Sequence, residues 1–348
     1  MPQKPKHILV IRLSAMGDVA MTAPVLRALV LQNPEVKITI VSRPFFKPIF
    51  DDIPNLTFFE VDLKKRHKGF LGLIRLFLDL NKLRISHVAD LHNVLRSKIV
   101  RSFFVLNGKK VAATDKGRAD KKALTRTANK VFKPTKSMFE RHVQTFTKLG
   151  FQIDLSKPQF PEKAILSNEI LSKTGEVSNL KLIAIAPFAQ YEGKVYPLDL
   201  MQKVVDALAQ HPNYKILLFG GGNEEIKKLN QLQNHHENVV VVAGKINFKE
   251  ELQLISNVKV MLSMDSGNAH LAAMLGVKVI TLWGATHPFL GFKPFNQPLE
   301  NCLVSDRTTY PLLPTSVYGN KTVPGYEDAM RSILPQKVIE KINTILRD

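Results

Sequence analysis

Residues 258–288, VKVMLSMDSGNAHLAAMLGVKVITLWGATHP, constrain the fold more than any other stretch of the chain. Their patterning runs strand, helix, strand within the length of one βαβ unit. Val258 to Met264 is apolar except at Lys259 and Ser263, as befits a parallel strand covered on both faces. Asp265, Ser266, Gly267 and Asn268 supply helix-starting chemistry, Ala269 to Leu275 carries the helix, and Gly276 ends it. A second strand, Val279 to Trp283, stops at Gly284. In an open parallel sheet, ligands bind beyond the carboxyl ends of the strands, where a helix amino terminus offers unpaired N–H groups. Asp-Ser-Gly before a helix is also an ordinary N-cap, and His270 one turn later is compatible with plain packing. The second polar loop, Trp283 to Pro288 with Thr286 inside it, lies at the same edge. Two such loops side by side point to a phosphorylated or hydroxyl-rich ligand.

A chain of 348 residues accommodates two domains, and a composition 45% hydrophobic and 23% charged is globular. The one cysteine, Cys302, allows no disulfide within the chain and suits a reducing compartment. The run MPQKPKHILVIRL has too short an apolar stretch before Arg12 for a secretory leader, and no apolar stretch reaches spanning length, so a soluble or peripheral protein is expected. Charge is uneven. Residues 1–180 hold 32 Lys/Arg against 15 Asp/Glu, a net of +17, and residues 181–348 hold 17 against 15, a net of +2. The basic half implies either an anionic partner or a merely solvated surface.

In chain order, His7 to Leu13 is a strand, and the loop Ser14 to Asp18 precedes a helix from Val19 to about Gln32. Asp18 thus falls at a helix start beyond a strand's carboxyl end, a place for either a capping carboxylate or a functional one. Neither GxGxxG nor GxxxxGK[ST] is present there. Strands are expected at 36–42, 57–61 and 88–91, with a helix at 70–83. From Arg96 to Lys136, 13 Lys/Arg stand against Asp115 and Asp120, and the section reads as mobile and basic between elements. Its phenylalanines lie in apolar company, so no stacking platform for single-stranded nucleic acid is evident. A helix at 138–149 closes on Gly150, and a domain boundary falls in 151–180.

The second half repeats the alternation: strands at 181–187, 214–219 and 239–242, each followed by a polar loop and a helix. Lys194 is the only cation in the loop from Phe188 to Pro197, either simply solvated or placed for an anion. Gly220 to Glu225 and Ala243-Gly244-Lys245 end the next two strands. After Pro288 the chain loosens, and residues 336–346 form a short amphipathic helix. The class is α/β with doubly wound sheets and polar signatures on strand-to-helix loops. No CxxC, HExxH, aspartate-rich cluster or GxSxG elbow occurs.

RLSAMGDVAMTAPVLRAL at 12–29, Lys-x-x-Pro at 194–197, AGK at 243–245 and MDSGNAHLAAMLG with LWGATHP at 264–288 resemble the glycosyltransferase family 9 heptosyltransferases of lipopolysaccharide core assembly. The resemblance spans nearly the whole chain in the right order. It implies the GT-B fold, two Rossmann-like domains facing across a cleft: 1–170 for the acceptor, 180–325 for the nucleotide-sugar, and a helical segment at 326–348. It implies inversion at the anomeric carbon, no metal or other cofactor, and ADP-heptose as donor. The acceptor would be a phosphorylated lipid A–core molecule at the cytoplasmic face of the inner membrane, with a peripheral, monomeric enzyme on an anionic surface and no nucleic-acid partner.

By the same resemblance Asp18 matches the catalytic base and Lys194 the cation that neutralises the leaving diphosphate. Asp265, Ser266, Gly267, His270 and Thr286 fall to the donor, with Glu224 or Glu225 at the ribose and Lys245 and Ile246 beside the base. Arg12, Ser14, Arg96, Lys98 and Arg118 fall to the acceptor. Met21 stands where the family often has His, Tyr196 where Trp is usual, and Asn268 where an apolar residue is common. These departures bear on the donor sugar and the acceptor rather than on the reaction class. The competing readings are a transferase for another nucleotide-sugar, a nucleotide-sugar epimerase, and a basic nucleic-acid-binding protein.

Overall fold

The apolar run His7–Ile11 (β1) pairs in parallel with Lys37–Ser42 (β2) on one side, Ile8 opposite Ile38, and with His87–Asp90 (β4) on the other. Leu56–Glu60 (β3) and Lys110–Ala113 (β5) flank them, giving the order β3-β2-β1-β4-β5. In this computed structural model, residues 6–321 and 323–347 are described; the first five residues of the run read for a leader lie outside them, as does Asp348 of the expected helical segment. The helix expected from Val19 is two: Met16–Ala20 (α1) and Ala23–Gln32 (α2). Pro24 explains the break, since it sits in the first turn of α2, where its missing N–H costs nothing.

The section 96–136 corrects the expectation of a mobile stretch between elements. Leu95–Leu106 is a helix (α4), β5 joins the sheet, and Arg118–Thr125 is another helix (α5). Val100 and Phe104, four apart on α4, bury beneath it. Arg96 and Lys98 stay exposed on the same helix, so charge density concealed its buried positions. Gly69–Asn81 (α3) packs beside α4, Phe77 meeting Phe104 edge-on at 5.0 Å. Met138–Leu149 (α6) follows, ended as expected by Gly150 at φ +96°, and then Asn168–Thr174 (α7), a helix within the polar turns.

In the second sheet Lys181–Ala186 (β6), Tyr214–Leu218 (β7), Val239–Val241 (β8), Val260–Met264 (β9), Lys278–Trp283 (β10) and Cys302–Val304 (β11) are all parallel, in the order β11-β10-β9-β6-β7-β8. Leu198–Ala209 (α8), Asn223–Gln233 (α9), Phe248–Ile255 (α10) and Gly267–Met274 (α11) make the crossovers. The terminal helix Pro335–Arg347 (α12) is no separate segment. Its Val338, Ile342 and Leu346 enter the same core as Val204, Val205 and Leu208 of α8.

The chain thus forms two compact units, residues 1–117 with 136–160, and residues 118–135 with 161–348. The second unit holds 118–135 through side chains that sequence reading placed in the first half. Lys121 sits over the Phe292 ring at 3.7 Å, Arg307 over Phe132 at 3.5 Å, and Lys130 donates to the Pro314 carbonyl at 2.7 Å. Each sheet reverses winding direction once, between β1 and β4 and between β6 and β9. In doubly wound sheets, ligands bind at those reversal points. Among the described residues, no helix is long and apolar enough to cross a membrane.

Candidate active site

At the first reversal point, Arg12 leaves the end of β1 buried, and its Nη1 donates to the Leu91 carbonyl just beyond β4 at 2.6 Å. Its Nη2 meets Asp18 Oδ2 at 2.5 Å. Asp18 lies in the first turn of α1, where the dipole favours a carboxylate, and its side chain is one-third exposed. Ser42 Oγ donates to the Arg12 carbonyl at 2.6 Å, which ties β2 to the same corner. The Asp90 carboxylate, fully buried, accepts from the His92 and Asn93 N–H groups and pairs with Arg101 at 3.0 Å, so the turn after β4 is fixed from within. His92 is held down to about 3: burial acts most, and the Arg12 guanidinium and Lys116 ammonium add to it against the pull of Asp18.

Of the acceptor set, Ser14 is half-buried in the loop after β1, and Arg96 and Lys98 are exposed at the amino end of α4, on the same sheet edge. Arg118, exposed at the start of α5, belongs to the other unit.

At the second reversal point, Lys194 closes a single 3₁₀ turn in the loop after β6, and its Nζ lies 3.1 Å from Asp265 Oδ2 at the end of β9. Thr286, from the loop after β10, donates its hydroxyl to the same oxygen at 2.9 Å. Three neighbouring strands thus converge on one carboxylate. Ser266 is the N-cap of α11, its Oγ 3.0 Å from Ser263 Oγ and not engaged in capping, Gly267 opens the helix, and His270 is buried one turn on. Glu225 is committed to its own loop, accepting from the Gly221 N–H at 2.7 Å. Glu224 beside it is exposed at the start of α9. Lys245 is exposed past β8, after Gly244 at φ +76°. Thr286, Asp265, Lys194, Glu224 and Lys245 therefore follow β10, β9, β6, β7 and β8, five strands in spatial order along one edge.

One element of this site escaped the sequence reading. The turn Ser316–Gly319, in the stretch read as loosened, lies on the stem of Lys194. A Cβ on Gly319, whose φ is +82°, would come within 2.4 Å of Lys194 Cγ. Ser316 Oγ accepts from the Gly319 N–H at 2.9 Å, and the Thr315 and Ser316 N–H groups donate to the Ala285 carbonyl. Ala285 in turn donates to Gly193 at 2.8 Å. The only local signal was Ser-x-x-Gly, a turn pattern with many other uses.

The model of glycosyltransferase family 9 (heptosyltransferase) matches residues 74–317, more than half of the chain. The chain belongs to glycosyltransferase family 9. This family 9 transferase is similar, at 24% identity over 303 residues, to the lipopolysaccharide core heptosyltransferase OpsX of Haemophilus influenzae, covering 86% of this chain and 84% of that one. Its fold is that of the family 9 glycosyl transferase of Veillonella parvula, with a TM-score of 0.75, 20% identity and coverage of 99% and 98%. The E. coli ADP-heptose lps heptosyltransferase II shares it too, with a TM-score of 0.67, 20% identity and coverage of 98% of each chain. The two doubly wound units of the transferase are the GT-B architecture. Among its described residues, no group of three or more His, Cys, Asp or Glu is gathered to hold a metal ion.

Proposed function

We propose that this transferase moves heptose from ADP-heptose, with inversion, to a phosphorylated inner-core acceptor of lipopolysaccharide at the cytoplasmic face of the inner membrane, as a monomer and with no metal or other cofactor. The observation that carries the reading is the row of polar side chains along the second sheet. At about 4.8 Å between strands, five strands in order span roughly 19 Å, the reach of an extended nucleotide-sugar, with a cation at its middle. The Haemophilus relative and the E. coli neighbour are named for heptose transfer, and the latter for ADP-heptose. In this reading Lys245 and Ile246 flank the base, Glu224 meets the ribose, and the diphosphate and sugar lie toward Lys194, Gly267, His270, Asp265, Ser266 and Thr286.

Asp18 accepts the proton of the acceptor hydroxyl as that oxygen bonds to the anomeric carbon from the side opposite the diphosphate. The bond between anomeric carbon and diphosphate oxygen breaks, and ADP departs with both electrons. Lys194 offers three donors, of which one is aimed at Asp265, and the others can meet the charge developing on the diphosphate. Arg12 and Ser14, with Arg96, Lys98 and Arg118, serve the anionic acceptor.

Thermal unfolding with ADP, GDP, UDP and TDP tests the donor assignment. A nucleotide at about a hundred times its Kd stabilises by about 2.7 kcal/mol, and selective stabilisation by ADP is expected. Selectivity for another nucleotide would replace the donor, and no response to any would remove the reading.

A further inference from the structure

We infer that the outer face of the α3–α4 layer is a docking surface for an anionic lipid bilayer. Each helix buries one side in the first unit's core, through Leu73, Leu76 and Leu80 on α3 and Val100 and Phe104 on α4. The opposite sides should then be polar. Instead Phe70, Leu71, Leu78, Leu95, Val105 and Leu106 are each more than half exposed, Leu71 at 69%, Leu95 at 74% and Leu106 at 84%.

These side chains share one surface. Asn107 Nδ2 donates to Asn81 Oδ1 at 2.7 Å, which joins the carboxyl ends of the two helices, and Phe77 meets Phe103 at 5.3 Å between ring centroids. The helices therefore run side by side in the same direction. Leu71, Arg75, Leu78 and Lys82 form the solvent stripe of α3, and Leu95, Lys98, Ser102 and Val105 that of α4.

Charge selects the occupant. Residues 61–110 hold 12 Lys/Arg against Asp62, Asp79 and Asp90. Asp90 is buried against Arg101, and Asp79 pairs with Arg66 at 2.7 Å. Cations interleaved with exposed leucine and phenylalanine suit the interfacial region of an anionic leaflet, where apolar side chains sink below the headgroups and ammonium and guanidinium groups stay among them. Both helices begin at the carboxyl edge of the sheet, so Phe70, Leu71 and Leu95 border the edge that carries Asp18. An acceptor anchored in that leaflet would stand beside the base. The inference rests on the transfer reading for that last step alone.

The test is co-sedimentation of the full chain with phosphatidylcholine vesicles, with and without phosphatidylglycerol. Binding should require phosphatidylglycerol, weaken with salt, and fall by about tenfold or more in the variant Phe70→Ser/Leu71→Ser/Leu95→Ser. Lys227→Ala/Lys228→Ala, a charge loss on α9, should bind as the unaltered protein does. Unchanged binding by the triple variant, equal binding to neutral vesicles, or no binding at all would overturn the surface. Dimerisation lost in the same triple variant, without vesicle binding, would overturn it in favour of a second copy of the chain. No nucleotide-sugar enters this assay, so failure of the donor assignment would show in the nucleotide panel and not here.

Discussion

Arg12 and Lys194 act alike at two different sheet edges: each is a mostly buried cation that holds an aspartate beyond a strand end. Their partners differ in consequence. Replacing Asp18 by alanine would strand a buried guanidinium, so lost turnover in that variant would mix chemistry with destabilisation. Asp18→Asn keeps an oxygen for Arg12 but cannot take a proton; we expect its Tm within a few degrees of the parent and its turnover lower by about a hundredfold or more. Gly319 acts through Lys194. In Gly319→Ala the new methyl must displace the lysine stem, and kcat should fall by about tenfold while nucleotide affinity changes little. Made in a Lys194→Ala background, the same substitution should have no further effect on kcat. An equal loss in both backgrounds would show Gly319 acting on folding alone.

His92 and His287 give a pH signature at the same scale. Burial and neighbouring cations hold them at about 3 and about 4, against 6.5 for a free histidine. As pH falls below 6.5 the unfolded chain takes up protons that the native protein refuses, so stability declines through pH 6.5 to 4. Tm measured across that range should fall less steeply in His92→Gln/His287→Gln. An unchanged slope would mean that neither ring is held neutral in the native state.

Among elements, the sequence reading succeeded where one unit of chain carried both the pattern and the site. Residues 258–288 showed β9, α11 and β10, with Asp265 and Thr286 already at one edge, because each lies next to an apolar run that marks a strand end. It failed where pattern and charge competed, as on α4, and where an element is too short to show a period, as with the three residues of β11. The contact of Gly319 with Lys194 joins residues 125 positions apart, beyond any local pattern. The place of α12 likewise depends on a distant contact, since Tyr196 donates to the Ile333 carbonyl at 2.5 Å, just before that helix. Tyr196→Phe leaves that buried carbonyl without its donor, and denaturant unfolding should show a loss of about 1–2 kcal/mol. A loss below the error of that measurement would mean the bond does not anchor α12.

At the scale of the molecule, the doubly wound class and the basic first half were legible from alternation and counting alone. The second unit's capture of 118–135 was not, since aromatic and carbonyl contacts from distant residues hold that segment. The proposed transfer divides the labour, with the nucleotide-sugar on the second unit and the base on the first. Its most direct measurement is the mass of a deacylated inner-core acceptor after incubation with ADP-heptose and either the unaltered protein or Asp18→Asn. A gain of one heptose is expected with the unaltered protein and none with the variant, with ADP stabilising both. Consumption of ADP-heptose without acceptor, or an equal gain with Asp18→Asn, would contradict it.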